Sequence, residues 1–494
     1  MRAEELASRG SAADYASRMR YAWRVCSVTS LGLVLIGIAG STLNVALPSV
    51  VRHFRAGPFE SGWILLSFLL VSTASLVFFG RVADLVGRRE VYLAGFALFT
   101  VASLLAGFAP GVWFLVAMRV VQAVGAAMIL ANGTVIITDA FPPDRLSQGM
   151  GVYIGTLSVA QLAGPTLGGL IAETAGWQWI FWVNVPAGIV AVAWGAVTLR
   201  RMPRGPRQPV DALGNALVFA ALSALLLALS EAGSAGLTAP VVLGGAAVFA
   251  VLAPVIVLVE RRAAHPVLDP RLFGGRLLAC ANLASFCNAM ARASLILLVA
   301  LYFQAARGVD AFTAGLGVLP VPVGMAVASP VTGALGRRVS PYALAVGGAL
   351  MSAAGLAALA LTAGAGTPYW VIGVGLFVAG CGSGAFLTGN TTHVMRALPG
   401  GSLGVVNGFR LMVMNVGVVL SVGVSLSVLA ASVGPSLGAQ VYAGTLSELS
   451  PVGVERLMDG FARAYTVLCG VALLGAALSA LARSPSLARS AEGG

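Results

Sequence analysis

The chain has 494 residues, of which 58% are hydrophobic and only 10% charged. A soluble domain carries roughly 25% charged residues, so an ordinary water-soluble enzyme or binding domain is excluded. The net charge of +12 suggests nucleic acid as one partner. Apolar stretches of about 20 residues nevertheless recur from end to end, as bilayer-spanning helices require. The expected partner is therefore a lipid bilayer and not nucleic acid.

In chain order, residues 1–24 read as a polar cytoplasmic tail. It runs straight into a full span, so it is read as retained rather than as a cleaved signal peptide. Spans are expected at 25–48, 62–80, 91–108, 113–138, 147–172 and 177–199, making a first six-helix half over 25–199. A basic linker and two extra spans, 212–231 and 237–260, occupy 200–260. A second half over 261–482 holds spans at 277–304, 311–335, 342–364, 368–395, 403–433 and 464–482, with a polar segment at 434–463 before the last. Residues 483–494 read as a cytoplasmic tail. The expected fold class is all-α, a polytopic membrane protein with 14 transmembrane helices.

Orientation follows from the arginines, which are all 30 of the basic residues. With the N-terminus inside, 22 fall in cytoplasmic segments and 5 in outside loops. This positive-inside bias places both termini in the cytoplasm.

The remaining three, Arg119, Arg292 and Arg410, fall within apolar segments, whereas none of the 18 carboxylates falls in the middle of one. A charge at the centre of a span costs about 2.5–3.5 kcal/mol on insertion scales and faces a cavity or a partner. Asn282, Ser285, Asn288 and Arg292 are spaced 3, 3 and 4 and share one helical face. Asn407 and Arg410 follow a similar spacing in span thirteen, and Arg119 and Gln122 do so in span four. These stripes are candidates to line a substrate cavity, although each arginine can also be spent on backbone carbonyls. Asp139 at the end of span four and His393 near the end of span twelve are weak candidates for proton coupling. The three histidines lie in separate loops or span ends, the five cysteines lack metal-site spacing, and no G-x-x-x-x-G-K loop occurs. No enzyme, cofactor or metal is therefore expected, nor a primary pump within this chain.

The segment Gly80-Arg81-Val82-Ala83-Asp84-Leu85-Val86-Gly87-Arg88-Arg89 resembles the major facilitator loop signature G-x-L-A-D-x-x-G-R-R. Gly333 to Arg338 resembles a shortened copy. Arg119-Val120-Val121-Gln122-Ala123-Val124-Gly125 is similar to the fourth-span motif R-x-x-Q-G-x-G, and Gly164-Pro165-Thr166-Leu167-Gly168-Gly169 to the exporter motif G-P-x-x-G-G. Trp177 to Pro186 resembles the entry to span six of fourteen-span drug exporters. On these residues the chain is identified as a member of the fourteen-span drug:proton antiporter family (EmrB/QacA-type) of the major facilitator superfamily.

The resemblance implies a major facilitator fold, two six-helix halves plus two inserted helices. It also implies a bacterial cytoplasmic-membrane exporter of small hydrophobic compounds, acting as a monomer on the proton gradient. Gly80, Asp84, Gly87, Arg88 and Arg89 would then form a gate, with Arg119, Gly164, Pro165, Gly168 and Gly169 as conformational elements. Arg292, Asn288, Ser285, Asn44, Gln122 and Asn407 are the expected cavity residues. The family pattern in span one is L-D-x-T-V-V-N-V-A-L-P, and here Ala39 stands at the Asp position. The missing carboxylate shifts the expected substrate from cations to neutral or anionic compounds. Two alternatives remain open: an importer or exchanger of organic anions, and a membrane scaffold or sensor, which the intact gate loop disfavours.

Overall fold

The computed structural model describes residues 2–201, 212–235, 239–262, 275–307, 309, 311–362, 364, 366–398, 403–433 and 451–483. Most of the basic linker, much of the polar segment at 434–463 and nearly all of the C-terminal tail lie outside them. Every regular element among the described residues is a helix. They are α1 (Arg2–Phe54), α2 (Pro58–Val86), α3 (Arg88–Ala106), α4 (Val112–Ala140), α5 (Leu146–Thr174), α6 (Trp179–Trp182), α7 (Asn184–Thr198), α8 (Ala212–Ala235) and α9 (Pro240–Arg262). They continue as α10 (Arg276–Arg307), α11 (Ala311–Gly317), α12 (Pro320–Leu335), α13 (Pro341–Thr362), α14 (Tyr369–Ala397), α15 (Leu403–Val433) and α16 (Pro451–Leu481). Among the described residues, 12 segments are long and apolar enough to cross a membrane.

The helices overrun several boundaries expected from hydropathy. The polar start of the chain continues α1 back to Arg2, and α16 starts at Pro451 although the polar segment was expected to run to 463. Polarity marks where apolar side chains stop, not where backbone hydrogen bonding stops. The 80–89 segment shows the same effect, since residues 80–86 are the last turns of α2. The chain leaves the helix only at Gly87, whose φ of 126° is a conformation open to glycine.

Two groups of helices form. In the first, α1 packs on α5, α2 on α4, and α3 on both α4 and α7. In the second, α14 packs on α12 and α13, while α10 packs on α15 and α16. The groups meet where α2 lies along α15 and α5 along α12. The α8–α9 pair stands beside this junction, with Leu226 of α8 packed between Leu70 of α2 and Val419 of α15.

Close approach at the junction depends on glycine. A Cβ on Gly80 would collide with the Gly404 carbonyl of α15, and one on Gly151 of α5 would collide with the Ser329 carbonyl of α12. Backbone-to-backbone contact of this kind is how helices associate without a hydrophobic driving force. Both contacts lie at the end of the bundle that carries the 80–89 segment, which we call the sealed end. At the opposite end, Phe59, Trp63 and Trp113 form an aromatic group, the composition of a membrane–water interface.

Candidate functional site

The sealed end is held by charge as well as by glycine. Arg88 bridges Asp84, 2.9 Å away, and also pairs with Asp139 at the end of α4. Arg89 donates to the Leu199 carbonyl (2.7 Å) and the Ala196 carbonyl (2.8 Å), tying α3 to the end of α7. A Cβ on Gly404 would lie 2.8 Å from an Asp84 oxygen, so the Asp84 carboxylate sits at the first turn of α15. A carboxylate there is favoured by the unpaired N–H groups and the dipole of a helix N-terminus. Arg396 of α14 reaches the Pro143 carbonyl from the other group. His393 is buried, with its Nε2 2.8 Å from the Ala482 carbonyl and its ring against Tyr342.

The three intramembrane arginines differ in what surrounds them. Arg119 is 2% exposed. Its Nε donates to the Ile64 carbonyl (3.3 Å), one Nη donates to Gln122 (2.6 Å), and the guanidinium lies 4.2 Å from the centre of the Phe68 ring. Gln122 in turn donates to Ser103 Oγ at 2.8 Å. Arg119 and Gln122 are thus spent on binding α4 to α2 and α3.

Arg410 is also buried. It donates to Thr391 Oγ1 (2.9 Å) and to Asn407 Oδ1 (3.2 Å). Asn407 crosses between the two groups, donating to the Ala131 carbonyl of α4 at 2.9 Å. Asn415 makes a second crossing to Thr73 of α2 at 2.9 Å. These bonds close the junction from the sealed end towards the middle of the bundle.

Arg292 has neither hydrogen bond nor ion pair among the described residues, and its Nε is buried without a partner. It is half-buried, and Ile296 one turn further along is exposed. Leu283 of α10 is 48% exposed. The nine residues between Leu283 and Arg292 span about 900° of helical rotation, so Arg292 points opposite to Leu283. If Leu283 faces lipid, the exposure at Arg292 and Ile296 belongs to an internal space. Below Arg292 the same stripe is closed. Asn288 donates to Ser383 at 3.4 Å, and Ser285 accepts from Asn390 at 2.8 Å. The side-chain carbonyls of Asn282 and Asn288 are buried without a donor.

The first group has a matching position that the sequence reading missed. Gln161 of α5 is exposed, and Leu170, nine residues on, is 59% exposed. Gln161 therefore points away from the outer face, as Arg292 does. Gln161 is 15 residues into α5 and Arg292 16 residues into α10. Both helices start at the sealed end, so both residues lie about 22–24 Å along them. The available signal was a single glutamine in an apolar span, half a turn from its most apolar edge. Asn44 of α1 is exposed, and a Cβ on Gly40 one turn earlier would meet nothing within 4 Å. This face of α1 borders open space as well.

Ala39 is packed among Leu35, Ile36 and Phe96 in an apolar cluster. The surroundings of the motif position are thus those of a hydrocarbon side chain. Gly164 and Gly168 of α5 lie against Ser41 and Thr42 of α1. The side chains at Pro165 and Gly169 lie outside the described residues.

A polytopic helical protein whose two helix groups meet around inward-pointing polar groups has the form of a solute carrier. The Major Facilitator Superfamily model matches residues 29–422, and the chain belongs to that superfamily. It is similar to the multidrug resistance protein Stp of Mycobacterium tuberculosis, with 31% identity over 82% of this chain and 75% of that protein. It is also similar to the tetracenomycin C resistance and export protein of Streptomyces glaucescens, with 28% identity over 93% and 91% of the two chains. The solved human organic anion transporter MFSD10 shares the fold, with a TM-score of 0.65 at 15% identity over 91% of this chain and 99% of that one. The protein is a multi-pass, secondary-active transporter of small molecules, not an enzyme. Among the described residues no group of three or more His, Cys, Asp or Glu is placed to hold a metal ion.

Proposed function

We propose that the protein exports small hydrophobic compounds, neutral or anionic rather than cationic, across a bacterial cytoplasmic membrane by alternating access. The carrying observation is Arg292, an inward-pointing guanidinium with no carboxylate paired to it among the described residues. A cationic substrate at this depth meets repulsion that no neighbouring acid offsets. Similarity to a multidrug resistance protein and to a tetracenomycin C resistance and export protein supports export.

Counting α5 and α8 with the 12 apolar segments gives fourteen spans, two sets of six and an inserted α8–α9 pair. The positive-inside bias then puts both termini and the sealed end in the cytoplasm, and the conformation is outward-facing. Asp84, Arg88 and Asp139 with the Gly80–Gly404 contact act as the cytoplasmic gate. The carrier works as a monomer.

Expression in a drug-susceptible bacterium tests the reading. The expected result is lower accumulation of neutral and anionic hydrophobic compounds, lost in Gly404→Val at equal membrane abundance. Export confined to quaternary cations would overturn the substrate class, and raised accumulation would favour the importer. Coupling to the proton gradient rests on the family resemblance, with Asp139 and His393 as candidate groups among the titratable residues near the sealed end. Flux from proteoliposomes that ignores an imposed pH gradient would remove that coupling and leave export standing.

A further inference from the structure

We infer that Arg292 is the docking point for an acidic group on the substrate, a carboxylate or an ionised phenol or enol carried on an apolar body. This deepens the export reading and rests on it, because it names what the cavity holds.

The inference starts from an imbalance between three similar groups. A charge brought into a bilayer-spanning bundle needs a partner or water. Arg119 has a carbonyl, an amide and a ring; Arg410 has a hydroxyl and an amide. Nε is buried without a partner in both Arg410 and Arg292, but Arg292 has no partner at its other nitrogens either among the described residues. Arg292 as a whole is only half-buried, and Ile296 one turn further along is exposed. A guanidinium presents a planar fork of donors that matches a carboxylate in a bidentate arrangement. The missing partner is therefore an acceptor that arrives and leaves, and an anion also cancels the charge.

The surroundings set the rest of the molecule. Beyond Arg292 the same face of α10 is apolar at Ile296, and Leu295 and Val299 belong to the cluster next to it. Gln161 points inward from α5 at the same depth and offers both a donor and an acceptor. One acidic end, an apolar body and a second polar group is the substrate shape these positions fit.

The test uses three probes that share one ring: 2-naphthoate, 2-naphthamide and 2-naphthyltrimethylammonium. Binding to the purified full-length protein in phosphatidylcholine nanodiscs is measured by calorimetry at neutral pH. The expected result is an affinity for naphthoate about tenfold or more above that for naphthamide, as a charged hydrogen bond supplies, with the ammonium weakest. Arg292→Gln should level naphthoate with naphthamide, and Arg292→Lys should keep part of the preference. A wild-type protein with no preference for the carboxylate overturns the inference, as does an Arg292→Gln protein that keeps it. Either result leaves export intact if the drug-accumulation phenotype persists. Loss of that phenotype would overturn the export reading whatever naphthoate does.

Discussion

The polar stripe of α4 and the polar stripe of α10 contain the same kinds of residue and end differently. On α4, Arg119 and Gln122 find partners on α2 and α3, and the network closes on itself. On α10, Ser285 and Asn288 are bonded to α14, but the stripe ends in an arginine that nothing in the described protein satisfies. A closed network holds helices together. An open one is a cost that the folded protein carries until something binds. The contrast shows that an intramembrane arginine has no fixed meaning; its role is set by whether neighbouring helices supply its acceptors.

Substitutions can break or sharpen this contrast. The largest effect on stability is expected from Arg119→Ala, which strands Gln122 and removes the contact with Phe68. It should lower the unfolding free energy of the solubilised protein by about 2 kcal/mol, read as a fall in the thermal midpoint. An unchanged midpoint would mean that the α4 network is not closed as described. Asn407→Ala is intermediate, at about 1 kcal/mol for one inter-helix bond. Because that bond joins the two helix groups, it should also speed thiol labelling of a Val405→Cys variant at the sealed end. Unaltered labelling would place the closure elsewhere. Arg292→Ala should be the mildest without ligand, within about 0.5 kcal/mol of wild type or slightly stabilising, since it removes a charge that lacks a partner. A loss as large as that of Arg119→Ala would erase the difference between the two stripes.

Much of this was legible in the chain. The apolar segments, the 80–89 signature and the shared face of Asn282, Ser285, Asn288 and Arg292 follow from composition and helical period. Asp84 is visible in that signature, and packing sets its carboxylate beside both Arg88 and the first turn of α15. Gln122 illustrates the opposite case. Its spacing with Arg119 was visible, but Ser103 on α3 is 19 residues away and only packing brings it to 2.8 Å. Gln161 was passed over because a lone glutamine has no spacing to read. Its significance depends on which edge of α5 is exposed, and that depends on where α1 and α12 lie.

The amino-acid sequence by itself determined that the chain is a helical membrane protein, and that arginines without central carboxylates lie in its apolar segments. Those properties follow from hydrophobicity and period, which act over a few turns of helix. Only the tertiary structure decided that Arg119 and Arg410 find hydrogen-bond partners while Arg292 finds none among the described residues, and that the bundle is sealed at the end bearing Gly80 and Gly404. Acceptors and backbone contacts come from helices distant in the chain, and their arrival is a property of packing rather than of local pattern.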